Sequence, residues 1–188
     1  MPTKFNPKIH RRRSVRLKGY DYTSAGGYFI TIVTYQRECL FGEIVNGKIK
    51  LNEIGKIVED VWKDLVNHYH NVELGTFCIM PNHVHAVIVL IDTTVGAGLK
   101  PAPTNPNRRH GLPEIVRAFK SFSARRVNEH LKSPSIPLWQ RNYYEHIIRN
   151  DNEHNRIHLY IESNPATWEE DEENPNFIPK SKFQTTSL

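Results

Sequence analysis

Residues 80–90 constrain the fold more than any other stretch of this chain. The run Met80-Pro81-Asn82-His83-Val84-His85-Ala86-Val87-Ile88-Val89-Leu90 is built mostly of strand-forming aliphatics. Side chains alternate faces along a strand, so His83 and His85 share one face. Val84, Ala86, Ile88 and Leu90 share the other, which reads as core. Two imidazoles on one rigid face make a half-site for a divalent metal. A lone His-X-His is a weak motif, equally satisfied by two partly exposed histidines. Its meaning depends on what surrounds it.

The neighbouring segments supply an alternating plan. Tyr28 to Tyr35 is rich in β-branched and aromatic residues and predicts a strand. Phe41 to Ile49 predicts a short hairpin around Asn46-Gly47. From Leu51 to Tyr69 the period turns helical, with Ile54, Ile57, Val58, Val61, Leu65 and Val66 on one stripe and Asn52 as cap. Thr76 to Met80 predicts a second strand, Pro81-Asn82 a turn, and His83 to Ile91 the antiparallel return. Leu112 to Leu131 predicts a second long helix, opened by Pro113. A fourth strand falls in the second half of 138–149, and a shorter helix spans Asn152 to Ser163, ended by Asn164-Pro165.

Strand, helix, strand, strand, helix, strand and a terminal helix is an α+β order. It predicts a ferredoxin-like or RRM-like antiparallel sheet with two helices on one face, His83 and His85 on the open face, and a C-terminal helix. Residues 1–20 read as a basic N-terminal arm, 21–168 as the folded domain, and 169–188 as an acidic and polar tail that Trp168 docks. Residues 92–110, rich in Gly, Pro and Asn, read as a flexible insertion loop.

Charge narrows the class of partner. The 188 residues carry a formal net charge of +5, with a pI of about 9.2. Lys4, Lys8, Arg11, Arg12, Arg13, Arg16 and Lys18 precede the first acid. A second cluster includes Arg117, Lys120, Arg125 and Arg126, on the polar face of the second long helix. Two separate basic segments favour a polyanion over idle solvation. Two cysteines, Cys39 and Cys78, outside any Cys-X-X-Cys pair, suit a reduced cytoplasmic protein. No apolar run is long enough to span a bilayer, so no membrane association is expected.

The terminal helix adds chemistry. Tyr160 and Asn164 are four residues apart and share a helix face. A phenol there could act as a nucleophile and the carboxamide oxygen as a third metal ligand. A phenol titrates near pH 10, so attack on a phosphodiester needs a cation to draw charge from the phosphate. Glu162 is a rival ligand, and Tyr143 and Tyr144 are rival nucleophiles that lack the asparagine one turn on. As purely structural residues, Tyr160 would pack and Asn164 would cap the helix.

The order His-hydrophobic-His on a strand, a basic helix, Trp139-Gln140-Arg141, and a Tyr-X-X-X-Asn helix resembles the HUH single-tyrosine transposases. The nearest subgroup is the REP-associated tyrosine transposases, which the segments from Arg11 to Tyr22 and from Tyr143 to Arg149 also resemble. The resemblance implies nicking of single-stranded DNA beside a hairpin and strand transfer through a covalent 5′-phosphotyrosine on Tyr160. It implies Mg²⁺ or Mn²⁺ on His83, His85 and Asn164. The arm (Arg11, Arg12, Arg13, Arg16, Lys18), the helix (Arg117, Lys120, Arg125, Arg126) and Arg141 and Arg149 would then hold the DNA. Both monomers and homodimers that exchange the tyrosine helix fit it. The rival reading is a non-catalytic, RRM-like nucleic-acid binder, with aromatics stacking bases on the central strands.

Overall fold

The computed structural model describes residues 17–92, 109–132 and 136–177. Arg11, Arg12, Arg13 and Arg16, most of the 92–110 insertion, and the chain beyond Phe177 lie outside the described residues.

The first strand, β1 (Gly26–Val33), is followed by a small hairpin, β2 (Gly42–Val45) and β3 (Lys48–Leu51), which pairs with itself apart from the main sheet. Helix α1 (Glu53–His68) comes next, then β4 (Val72–Ile79), β5 (His83–Leu90), α2 (Leu112–His130), β6 (Tyr144–Ile148) and α3 (Asp151–Ser163). The main sheet runs β4-β5-β1-β6, antiparallel at every described pairing, which is the ferredoxin-like order.

Each central strand reads as two half-strands. On the helix side, Tyr28, Ile30 and Ile32 of β1 and Val84, Ala86, Ile88 and Leu90 of β5 are buried against α1 and α2. Trp62, off the predicted stripe of α1, is the largest side chain there, wedged between Phe77 and Phe119. Each such side chain contributes roughly 1.5–3 kcal/mol on burial. α1 begins where Asn52 accepts from the Gly55 amide at 3.0 Å, as its cap position predicts.

The opposite face departs from expectation. Instead of standing open, its centre is roofed by α3, with Ile161 fully buried against Phe29 and Val87. α3 is tied to both flanks of the sheet. Near its start Glu153 meets His146 of β6 at 2.7 Å, and at its middle His158 meets the Thr76 hydroxyl of β4. His83 and His85 are therefore buried, at 0% and 3% exposure. Covering the central strands removes the surface on which an RRM-like protein stacks bases. Among the described residues no helix is long and apolar enough to cross a membrane.

Candidate metal and tyrosine site

β5 carries His83 and His85 on its second face, with Nε2 atoms 3.0 Å apart. The backs of both rings are held. Asn82, fully buried, donates through Nδ2 to the carbonyls of Arg37 at 3.0 Å and Glu173 at 2.7 Å. Its Oδ1 is thus left to accept from Nδ1 of His83, at 2.9 Å. That assignment puts the His83 proton on Nδ1 and turns the Nε2 lone pair toward His85. Thr31 sits opposite His85 in the β1–β5 register, and its hydroxyl lies 2.8 Å from His85 Nδ1. Hydroxyls both donate and accept, so this contact serves either tautomer of His85.

Burial, with Arg37 nearby, pushes the His83 pKa down to about 3. Burial and then the neighbouring His83 push His85 down to about 3 as well, against a weaker opposite pull from Asp171. Both rings are neutral near pH 7, the form that ligates metals.

Tyr160 reaches the pair from α3. Its phenolic oxygen is 3.3 Å from His85 Nε2, and its ring meets the edges of His85 and Phe29. Burial raises the phenol pKa, Asp171 adds to the rise, and the Asn164 carboxamide that hydrogen-bonds the phenol opposes it. Asn164 ends α3 at 2% exposure, and its Oδ1 has no hydrogen-bond partner among the described residues. Glu162, the rival ligand, is exposed and turned to His158 at 3.4 Å.

The expected tail contributes a group that sequence reasoning missed. Residues 171–177 fold back onto the site instead of trailing away. Arg37 clamps them, donating to the Glu172 carbonyl at 2.8 Å and pairing with Glu173 at 3.2 Å. Asn174 is buried and donates to the Trp168 carbonyl, while Trp168 leans on the His83 ring. Asp171 Oδ1 accepts from the Glu173 amide at 2.7 Å. Its Oδ2, without a hydrogen-bond partner among the described residues, lies 3.7 Å from His83 Nε2. One ligand atom each from His83, His85 and Asp171 lies within 4.8 Å of the others. In the sequence Asp171 is hidden in the run Glu169-Glu170-Asp171-Glu172-Glu173, where no spacing separates it from its neighbours.

Two imidazole nitrogens and the Asp171 carboxylate form one cluster, and Asn164 presents a further buried oxygen one turn of α3 from Tyr160. Two imidazoles and a carboxylate are a donor set that fits a divalent cation.

The basic residues divide. Lys120 turns its ammonium onto the backbone. Burial lowers its pKa, and Nζ donates to the carbonyls of Gln140 at 2.6 Å and Arg141 at 3.0 Å, pinning the 138–143 segment. Arg125 stacks on Phe122 near Glu129, and Arg126 faces Asp64 at 3.5 Å, so both lie on the α1–α2 layer behind the sheet. Lys18, Arg117, Arg141 and Arg149 are exposed. Trp139, in the motif before β6, is core: its ring packs on Phe41 and Phe119, and Nε1 donates to Ser123 Oγ at 2.9 Å.

The structure thus has a ferredoxin-like sheet with paired histidines on one strand, faced by a tyrosine from a terminal helix. No protein-family profile matches the chain. A Haemophilus influenzae protein of undescribed function is 41% identical over 180 residues, covering 92% of this chain and 98% of the relative. A second Haemophilus influenzae protein, provisionally named a REP-associated tyrosine transposase, is 27% identical over 146 residues, covering 78% and 73%. The fold matches a solved REP-associated tyrosine transposase bound to a REP hairpin, with a TM-score of 0.56 at 17% identity over 82% of this chain and 74% of that one. The chain is thus similar in sequence to one protein provisionally named a REP-associated tyrosine transposase and shares its fold with a solved member of that family.

Proposed function

We propose that the protein nicks single-stranded DNA beside a hairpin and transfers the cut strand, with Tyr160 as nucleophile. The observation that carries this reading is the 3.3 Å approach of the Tyr160 hydroxyl to His85, itself 3.0 Å from His83 and clustered with the Asp171 carboxylate. A phenol meant only to pack has no need of that neighbourhood. Hairpin DNA as substrate is supported by the REP hairpin bound to the structural neighbour and by the name of the 27% identical relative.

The chain's own groups do the following. His83 and His85, with Asp171 and Asn164, would hold Mg²⁺ or Mn²⁺. Bound there, the cation supplies Lewis-acid charge to a phosphate oxygen. Asn82 and Thr31 orient the two imidazoles. The α3 helix, fastened through Glu153 and His158, aims the phenol. Tyr160 Oη loses its proton and attacks phosphorus; the P–O3′ bond breaks and the departing oxygen takes up a proton as a 3′-OH. The product is a 5′-phosphotyrosine, in which the phosphodiester linkage is exchanged and not hydrolysed, so attack by another 3′-OH reverses the step and joins a new strand. Tyr160 lies beside the histidines of its own chain, so one chain holds a whole site.

The test uses the full chain, Mn²⁺ and a pool of DNA hairpins with single-stranded flanks of random sequence. Wild-type protein is expected to give a covalent adduct on a denaturing gel, and Tyr160→Phe none while still binding the hairpins. An adduct that persists in Tyr160→Phe refutes the nucleophile. Cleavage without any adduct, lost in His83→Ala and kept in Tyr160→Phe, would replace this mechanism with direct hydrolysis.

A further inference from the structure

Two stretches far apart in the chain, 34–38 and 171–174, meet beside His83, and Asn82 and Arg37 join them. Asn82 uses both ends of its carboxamide. Oδ1 accepts from His83, and Nδ2 donates to the Arg37 and Glu173 carbonyls. Its backbone carbonyl accepts from the Thr34 amide at 2.8 Å. Arg37 reaches the same segment with its side chain. Nη1 donates to the Glu172 carbonyl at 2.8 Å, and Nε pairs with the Glu173 carboxylate at 3.2 Å.

The turn that aims Arg37 is strained. Gln36 and Arg37 have φ of 56° and 60°, left-handed values that residues with a Cβ rarely adopt. The Arg37 amide donates to the Thr34 carbonyl at 3.1 Å, and the Thr34 hydroxyl donates to the Glu38 carbonyl at 2.8 Å. Such a backbone persists only where its surroundings over-determine it. Here it turns a guanidinium onto the segment that carries Asp171.

Residues 171–177 need that hold. Asn174 is their one buried side chain, so polar contacts fasten the segment. Asp171, Glu172 and Glu173 are three successive carboxylates, and Arg37 pairs with the third. Asp171 Oδ1 accepts from the Glu173 amide, and its Oδ2 faces His83 Nε2. Moving Glu172 and Glu173 therefore moves the Asp171 carboxylate.

We propose that Arg37 is a positioning residue for the metal site: it strengthens cation binding by holding 171–177 so that Asp171 stays beside His83, and cation binding in turn secures that segment. The inference rests on the metal-site part of the reading above, not on the nucleophile. Its sign separates it from simple electrostatics. A guanidinium this near opposes further positive charge; burial first, and then Arg37, lower the His83 pKa. By charge alone, removing Arg37 tightens cation binding. Acting through Asp171, removing it weakens cation binding. The coupling is reciprocal: the factor by which closure strengthens binding is the factor by which binding stabilises closure.

The test uses the full chain and Mn²⁺, with free ion counted by EPR and His83→Ala identifying the site. Arg37→Gln, which keeps the backbone carbonyl for Asn82, is expected to weaken Mn²⁺ binding about tenfold, the low end of the cost of such a support. Arg37→Lys keeps the charge, loses the planar fork and should weaken it as well. Asp171→Asn keeps the oxygen that accepts from the Glu173 amide and removes the charge; adding Arg37→Gln to it should cost no further affinity. In wild type, saturating Mn²⁺ should slow amide hydrogen exchange in 171–177 by a similar factor of about ten, and much less in Arg37→Gln. Arginine variants that bind Mn²⁺ as tightly as wild type or tighter, losses that add in full to that of Asp171→Asn, or wild-type exchange indifferent to Mn²⁺ would overturn the positioning role and leave the metal site standing. Mn²⁺ binding unchanged by His83→Ala would overturn the metal site and this inference with it, whatever the Tyr160 adduct assay gives.

Discussion

Thr31 and His85 face each other across β1 and β5, with the threonine hydroxyl 2.8 Å from His85 Nδ1. Both are buried, so water cannot substitute for either partner. For His85 Nε2 to offer a lone pair to a cation, Nδ1 must carry the proton and Thr31 must accept it. Thr31→Val keeps the shape and removes the acceptor. Divalent-cation affinity should fall about 10- to 100-fold, the usual cost of losing such a support, read by Mn²⁺ titration with calorimetry or EPR. Unchanged affinity would mean that His85 does not ligate through Nε2.

Asp171 supplies the carboxylate that the tail folds onto His83. Asp171→Ala should reduce Mn²⁺ affinity by about tenfold or more. A chain ending at Glu170 should lose at least as much. Equal affinity in wild type and both variants would leave Asn164 as the oxygen ligand and reduce Asp171 to a packing role.

Ser123 and Trp139 form a buried pair, at 0% and 7% exposure, joined by the 2.9 Å indole hydrogen bond. Ser123→Ala leaves a buried N–H without its partner, which costs about 1–3 kcal/mol. At about 2–4 °C per kcal/mol for a domain of this size, the melting temperature should drop by several degrees. DNA affinity should be unchanged once the protein is folded, because Trp139 is core and not a stacking platform.

Glu153 joins β6 to α3, accepting from the Arg149 amide and from His146, both at 2.7 Å. The Arg149 amide bond first, then His146, holds its pKa below the usual carboxylate range. A depressed folded-state pKa means that this stabilisation is complete above the unfolded value, near 4.3. It is lost as pH falls through the lower folded-state value. Glu153→Gln should therefore be less stable than wild type at pH 7, with the gap closing below about pH 4. Denaturant midpoints measured across that range would show it; a gap independent of pH would assign the effect to packing.

Local sequence determined the elements and the sheet. Period-two alternation in β5 and period-3.6 stripes in α1 and α2 are properties of neighbouring residues, so they are legible without a fold. That alternation put His83 and His85 on one face and Val84, Ala86 and Ile88 in the core. Asn52 as the α1 cap and Asn46-Gly47 as a hairpin turn follow from the same short-range chemistry.

Only the tertiary structure decided what meets what. Asp171 stands 86 residues beyond His85 in the sequence, inside a run of like charges, and arrives at the site because Arg37 and Asn82 catch the backbone around it. Trp139 reads as an aromatic beside an arginine and becomes core when Ser123 takes its N–H. Lys120 reads as one basic residue among several, until three peptide carbonyls surround its ammonium. Propensity and periodicity are set by near neighbours along the chain. Hydrogen-bond satisfaction and charge pairing in a buried site are set by whichever distant groups the folded chain brings within about 3 Å.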